Sequence, residues 1–171
     1  AEPPLTYPIL DTMGLTAGNL KALVARVAAR DLYDLSRVAA RSPSLLDDPL
    51  ARALMVRALS SADPFPASVV DPVAALARFD EAADATLQPL RAVRAVGDEP
   101  DFAAMRASVV DLLSPLAKPT PDEAEYLRLL AEESTYRPEL LLGRWPDVLE
   151  RARLDPVMEW KVLNLRRRGE S

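Results

Sequence analysis

The sequence predicts an all-α fold, a single multi-helix domain of about seven to nine helices, and three observations support this. Alanine, leucine and arginine dominate the 171 residues, whereas only five residues are glycine, and those three types rank among the best helix formers. Apolar residues recur at helical spacing in several segments. The 16 prolines fall mostly between these segments, where they separate one helix from the next. Residues 5–10 are short, apolar and extended in preference, and Pro8 limits them to an edge strand or a loop.

Helices in the first half of the chain are predicted mainly from apolar periodicity. The first covers 16–29, and its single apolar stripe consists of Leu20, Leu23, Val24 and Val27. Two more are predicted over 31–41 and 49–59, and a turn-rich connector follows over 60–72.

Helices in the second half are predicted from start signals as well as periodicity. Residues 73–96 and 100–113 keep helical spacing, with a break at Pro89 in the first of them. The clearest start is the capping box of Thr120 and Glu123, with Pro121 at the first helical position. Asp155 and Pro156 repeat this cap-then-proline pattern and open a last helix that runs through Arg167.

Two absences exclude whole classes of chemistry. The chain contains no Cys and no His, so it forms no disulfide, thiol nucleophile, imidazole base or Ser-His-Asp triad. Any metal ion that it bound would be a hard cation held by Asp or Glu. The net charge of −5 gives no general attraction to nucleic acid, with a local exception at residues 166–168, three arginines. No apolar run approaches the ~20 residues of a membrane helix, no signal peptide is recognisable, and we expect a cytoplasmic protein.

The segment Arg-Asp-Leu-Tyr-Asp at 30–34 allows two interpretations. In the structural one, Asp31 caps a helix and Asp34 lies in its first turn, where acids complement the helix dipole. Arg30 and Arg37 then pair with Asp34, each pair contributing roughly 0.2–0.5 kcal/mol. In the functional one, the carboxylates serve an active site, and Lys21 on the preceding helix holds nucleotide phosphates. The residues by themselves favour the structural interpretation.

Residues 155–168 allow two interpretations as well. We expect Trp160 to anchor the helix in the core, because large aromatic side chains contribute heavily to burial. Lys161 and Arg166, with the arginines that follow, complement the negative end of a helix dipole. Alternatively, they contact RNA or phosphate. Composition by itself favours the interpretation in which these cations complement the helix dipole.

Taken together, five segments resemble the AbiEii-type nucleotidyltransferases, the toxins of type IV toxin–antitoxin systems, to which MenT-like proteins belong. The segments keep the family's order from about residue 15 to the end of the chain. They are GNLKALVAR at 18–26, RDLYDL at 30–35, TPDEAEYL at 120–127, YRPELLL at 136–142 and PVMEWKVLNL at 156–165. Each segment is short, and it is the ordered set that is specific.

The resemblance implies an activity and a place for this chain within a larger enzyme. Such enzymes transfer a nucleotide from an NTP to an acceptor such as tRNA, with the help of Mg²⁺. Residues 1–15 would be an extended lead-in from a missing N-terminal catalytic half, and residues 16–171 a helical C-terminal domain. Because the chain has no Gly-Ser pair and no Asp-x-Asp, the family's metal and nucleotide motifs, we expect it to be inactive alone and to bind no metal or cofactor.

The resemblance also assigns candidate residues. Asp31 aligns with an active-site acid of the family, whereas the family's lysine aligns with Asn19, two positions before Lys21. The candidate catalytic residues are therefore Asp31 and Lys21, and the candidate substrate-binding residues are Arg30, Asp34, Lys161 and Arg166.

A second function stays open beside this one. The chain would be a non-catalytic interaction or scaffold domain, with an antitoxin or another protein as its partner and no membrane association. A stand-alone RNA-binding module is less favoured, because the net charge is negative and the basic cluster is small.

Overall fold

The structure, a computed structural model, describes residues 12–26, 28–63, 65, 73–77 and 101–169. Every regular element within these ranges is helical, which confirms the predicted all-α class. The α-helices are α1 (Thr12–Arg26), α2 (Ala29–Arg41), α3 (Pro49–Ser60), α4 (Ala74–Ala77), α5 (Phe102–Leu113), α6 (Pro121–Glu133), α7 (Glu139–Leu142), α8 (Pro146–Arg153) and α9 (Pro156–Gly169). Short 3₁₀ helices occupy Leu45–Asp47 and Ser114–Ala117. The short extended segment predicted at 5–10, as an edge strand or a loop, lies outside the described residues, and so does most of the predicted helix over 73–96.

One part of the core forms where α1, α2, α3 and α5 pack together, with α1 against both α2 and α3 and with α2 against α5. Leu20, Leu23 and Val24 of the predicted stripe are buried, as expected, and Val27 lies outside the described residues. Leu32 and Leu35 of α2 are fully buried beside them. Each such leucine stabilises the fold by about 1.5–3 kcal/mol.

α3 also packs against α6 and α7, and α8 packs on α7. Tyr126 and Leu130 of α6 and Leu142 of α7 are fully buried in the same core. The last helix, α9, contributes the buried Met158 and is joined to the rest by polar side chains described below. None of the described helices is both long and apolar enough to cross a membrane.

The start signals read from the sequence are confirmed at α6 and α9. The Thr120 hydroxyl accepts from the Glu123 amide at 3.3 Å, and the Glu123 carboxylate accepts from the Thr120 amide at 2.7 Å, so the capping box is complete. At α9, the Asp155 carboxylate accepts from the Val157 amide at 2.9 Å. These bonds satisfy amides that would otherwise have no partner in the first turn.

Several predicted boundaries and one predicted cap differ from the structure. α1 begins at Thr12 rather than at residue 16, and α5 begins at Phe102 rather than at residue 100. The predicted cap of α2 is wrong: Ala28 is the N-cap and makes no side-chain bond. Asp31 lies inside the first turn, and its carboxylate is bound by a guanidinium instead.

The expectation that Trp160 anchors α9 in the core is also wrong, because its side chain is 60% exposed. The inward positions are Met158 and Lys161, with Val162 and Leu165 partly buried beside them. These four positions follow the i, i+3, i+4, i+7 spacing of one helix face. Trp160 lies on the opposite face.

Candidate functional site

Asp31 is held in a bidentate ion pair at the junction of α1 and α2. Arg26, the last residue of α1, donates from Nε and Nη2 to the two carboxylate oxygens at 2.7 and 2.6 Å. The Asp31 side chain is only 2% exposed, whereas that of Arg26 is 63% exposed. Two parallel charge-assisted bonds make this a geometrically specific pair. Both oxygens of the candidate catalytic acid therefore already accept a hydrogen bond.

Asp34 lies one turn further along α2, close to Asp31. Burial raises the pKa of Asp34, the charge of Arg30 opposes that rise, and the charge of Asp31 adds to it. Arg30 itself is exposed. The structure thus brings Asp31, Asp34 and Arg30 together at one helix start, where an acid is favoured by the helix dipole.

This acidic pair does not by itself make a metal site. Mg²⁺ is held by carboxylate oxygens with octahedral geometry, and both oxygens of Asp31 are bound by Arg26. Across the residues that the structure describes, no group of three or more acidic side chains is arranged to hold a metal ion. In this arrangement the Asp31 carboxylate is engaged by Arg26 rather than open to the Mg²⁺ that the resemblance implies.

Lys161 is a buried lysine that ties α9 to the connector after α3. It is 2% exposed, and its ammonium donates to the Ala62 carbonyl at 2.9 Å and to the Asp63 carboxylate at 2.8 Å. The same ammonium lies 5.3 Å from the centre of the Phe65 ring, within range of a cation–π contact. Such partners are what a buried charge needs to be stable.

Lys161 is one of three cations whose charges act on Asp63, and we call them the basic cluster: Lys21, Lys161 and Arg168. The Lys161 hydrogen bond lowers the pKa of Asp63, burial opposes this, and the charges of Lys161, Arg168 and Lys21 lower it further. A guanidinium nitrogen of Arg168 lies 4.0 Å from the Asp63 carboxylate. Three cations therefore act on this one carboxylate. Asp63 was missed by the sequence interpretation, because nothing in the turn-rich connector distinguishes it.

Five of the six candidate residues thus fall into two groups. Asp31, Asp34 and Arg30 lie at the α1–α2 junction, whereas the charges of Lys21 and Lys161 both act on Asp63. Lys21 and Arg26 are five positions apart on α1, which places them about 7.5 Å apart along the axis and about 140° apart around it. Arg166 is exposed in the last turns of α9.

A polar network that the sequence interpretation did not connect joins α3 to the segments around α8. Arg57 donates from Nε to the Tyr136 hydroxyl at 2.9 Å and from Nη2 to the Asp155 carboxylate. The Tyr136 hydroxyl donates to the Ala152 carbonyl at 3.1 Å. Burial opposes the charge of Arg57, yet these partners raise its pKa above the ordinary value. Arg57 lies 79 and 98 residues from its two side-chain partners, so no local pattern reveals the network.

A cavity of about 300 Å³ lies between α3, the start of α6 and the segment around α7. Arg52 borders it and donates to both oxygens of Glu123 at 2.7 and 2.8 Å. It also donates to the carbonyls of Pro115 and Lys118 at 3.1 and 2.9 Å. Because this guanidinium is already engaged by four bonds, we interpret the pair as part of the framework.

Comparison of the chain with models of known protein families gave no match. Searches against curated proteins and against solved structures gave none either. The family resemblance therefore rests on the five segments described above and on their order.

Proposed function

We propose that this chain is the helical C-terminal portion of an AbiEii-like nucleotidyltransferase toxin, which transfers a nucleotide from an NTP to an acceptor such as tRNA. The observation that carries the proposal is the basic cluster: Lys161 and Arg168 of α9 pair with Asp63, and the charge of Lys21 of α1 also acts on it, in a chain of net charge −5. Local positive charge on an acidic protein is the electrostatic requirement for contact with an RNA backbone.

The family-like segments also supply bonds between different parts of the fold, which supports the proposal that they form one functional unit. Arg26 and Asp31 join the first two segments. Glu123, Tyr136 and Lys161, each from a different segment, bind Arg52, Arg57 and Asp63, which lie outside the segments. The family-like segments thus contain residues whose side chains bond different parts of this fold to one another.

In this proposal the chain binds and positions the acceptor. Lys21, Arg30 and Arg166 contact acceptor phosphates, while the buried Lys161 positions the cluster through Asp63. The second half of the enzyme, in the same cytoplasmic protein, holds Mg²⁺ and the NTP. Asp31, bound by Arg26, faces the reaction only if that pair opens in the assembled enzyme. Otherwise Asp31 acts as a positioning residue.

The proposal is tested first by nucleotide transfer. The purified chain is incubated with Mg²⁺, each of the four labelled NTPs and tRNA, beside the protein expressed from its own complete reading frame. We expect no label on tRNA with this chain and labelled tRNA with a longer product that carries the Gly-Ser and Asp-x-Asp motifs. Transfer by this chain alone, or a complete reading frame without those motifs, would overturn the proposal.

A second test measures tRNA binding by this chain as a function of salt. Replacement of the three arginines at 166–168 by glutamine removes up to three phosphate contacts, so the slope of log affinity against log salt should fall by about 2–3. The matched control, R37Q/R41Q/R144Q, removes three exposed arginines elsewhere and changes the net charge equally. Equal losses in the two variants would contradict a specific basic surface on α9.

A non-catalytic interaction domain, with an antitoxin or another protein as its partner, is the second candidate function. It is favoured by large apolar side chains that stay exposed at and around α9, among them Leu154 at 78% and Trp160 at 60%. Exposed apolar residues that lie close together often mark a protein–protein interface. A native product of about this chain's length, with no transferase activity, would favour this candidate.

A further inference from the structure

The last helix, α9, has two apolar faces, and only the inner one packs against the described part of the domain. The inner face carries Met158 and Lys161, together with the partly buried Val162 and Leu165. On the outer side, Val157 is 44% exposed, Trp160 60% and Leu163 52%. Trp160 and Leu163 are three residues apart and therefore share one surface of the helix. An exposed tryptophan beside an exposed leucine on a charged helix is a surface suited to association.

The charges beside this outer face are arranged in a self-complementary way. Glu159 and Arg166 are both exposed, and a spacing of seven residues, close to two helical turns, places them on the same flank. In an antiparallel pair of identical helices, the same flank of each helix meets. Glu159 of one helix then lies opposite Arg166 of the other, and the contact occurs twice because the pair is symmetric.

We propose that two copies of this chain associate through the outer face of α9, as an antiparallel helix pair with its two-fold axis close to Leu163. In this register Leu163 packs on Leu163 of the partner subunit. Trp160 packs between Leu163 and Arg167 of the partner subunit. Glu159 forms an ion pair with Arg166 of the partner subunit on each side. The association does not depend on the proposed transferase function, and where both occur the dimer and the acceptor phosphates compete for Arg166.

The size of the outer face determines what strength to expect. A tryptophan buries about 150–250 Å², so this stripe of three apolar side chains falls short of the ~800 Å² per partner in a standard interface. The dimer should therefore be weak and in rapid exchange with the monomer. Association should grow with chain concentration, and high salt should weaken it because the ion pairs lie at the rim.

Sedimentation velocity over a wide range of chain concentration tests the proposal. We expect a monomer–dimer equilibrium, and W160E and L163E should each weaken it by about tenfold or more, because central residues dominate an interface. The matched control is L15E, since Leu15 is an exposed leucine of α1 with 50% exposure and lies far from α9 in sequence. A chain that stays monomeric at every concentration would overturn the proposal, as would equal effects of L15E and L163E.

A charge exchange tests the antiparallel register itself. E159R and R166E should each weaken the dimer, and the double variant should restore it, because the two opposite charges are then merely exchanged. Association with an acidic protein or with RNA would not be restored in this way. Failure of the double variant to recover, with its helical circular dichroism intact, would refute the register.

Tryptophan fluorescence gives an independent readout. The chain contains two tryptophans, so W145F leaves Trp160 as the reporter. On dilution its emission should shift to longer wavelength as the dimer dissociates and the ring returns to water. Constant emission across the dissociation range would mean that Trp160 lies outside the interface.

Discussion

Replacement of Arg52 by methionine should be among the more damaging single changes in this fold. The guanidinium binds both oxygens of Glu123, and the two side chains are 17% and 7% exposed. Methionine keeps the aliphatic stem but leaves a nearly buried carboxylate without its cation. Removal of one partner of a buried ion pair costs about 3–5 kcal/mol.

The expected loss lies near the lower end of that range. Glu123 keeps the Thr120 amide as a donor at 2.7 Å, and the carbonyls of Pro115 and Lys118 lose only exposed bonds. We therefore expect R52M to lower the free energy of unfolding by about 3 kcal/mol. For a domain of this size, that loss lowers Tm by about 6–12 °C.

The pH dependence gives this prediction a distinctive sign. Burial alone would raise the pKa of Glu123, but the Arg52 and Thr120 donors hold it below its ordinary value. In the wild type, ionised Glu123 therefore contributes to the free energy of unfolding. This contribution is present above the unfolded-state pKa of ~4.3 and is lost as pH falls through the pKa of Glu123 in the folded protein. In R52M burial dominates and the pKa of Glu123 rises, so that variant should lose stability as pH rises through this raised pKa. The difference in free energy of unfolding between the wild type and R52M should therefore become smaller at acidic pH.

The assay is urea unfolding followed by circular dichroism at neutral pH and near pH 4, with R128M as the matched control. Arg128 also contacts carboxylates, those of Glu125, Glu132 and Glu133, but these side chains are 42–67% exposed. Solvent screens such pairs, so R128M should change stability little. A loss below about 1 kcal/mol for R52M, or equal losses in the two variants, would refute the reasoning from burial.

Three further predictions follow from individual contacts. T120A removes the hydroxyl that caps α6 and should lower the free energy of unfolding in urea by about 1 kcal/mol. T120S keeps a capping hydroxyl and should therefore retain most of that stability. Y126F removes the buried bond to the Ser60 hydroxyl at 2.8 Å and should cost about 1–2 kcal/mol. Burial raises the pKa of Tyr126, so its phenol should ionise only on unfolding, and its contribution to stability is lost as pH rises above the unfolded-state pKa. G143A places a Cβ 2.7 Å from the Glu139 carbonyl and should cost about 1–3 kcal/mol. The control G18A, where nothing lies within 4 Å, should instead stabilise α1 slightly.

The sequence predicts most of the described helices because their signals are local. The stripe at Leu20, Leu23 and Val24 and the capping box at Thr120 and Glu123 each lie within two turns of one helix. The bonds that define a helix also reach only four residues. Boundaries are less predictable: α1 begins at Thr12 rather than at residue 16, and α2 begins at Ala29 rather than at residue 31.

The candidate site is only partly predictable for the same reason. The sequence places Asp31 and Asp34 together because they share a helix turn. It does not reveal that Arg26 binds both oxygens of Asp31, nor that the charges of Lys21 and Lys161 both act on Asp63. These two lysines lie on helices at opposite ends of the chain, and whether they act on one carboxylate depends on how the helices pack.

The sequence by itself determined the all-α class, the main helix starts, and the exclusion of cysteine and histidine chemistry, because each of these depends on residue types and short spacings. Only the tertiary structure decided which charges are buried and with what partner. Lys161 is buried and binds Asp63, which lies 98 residues away in the sequence. Its neighbour Trp160 is 60% exposed. The physical reason is that a helix has several faces of similar composition. The packing of the whole domain selects which of them is buried.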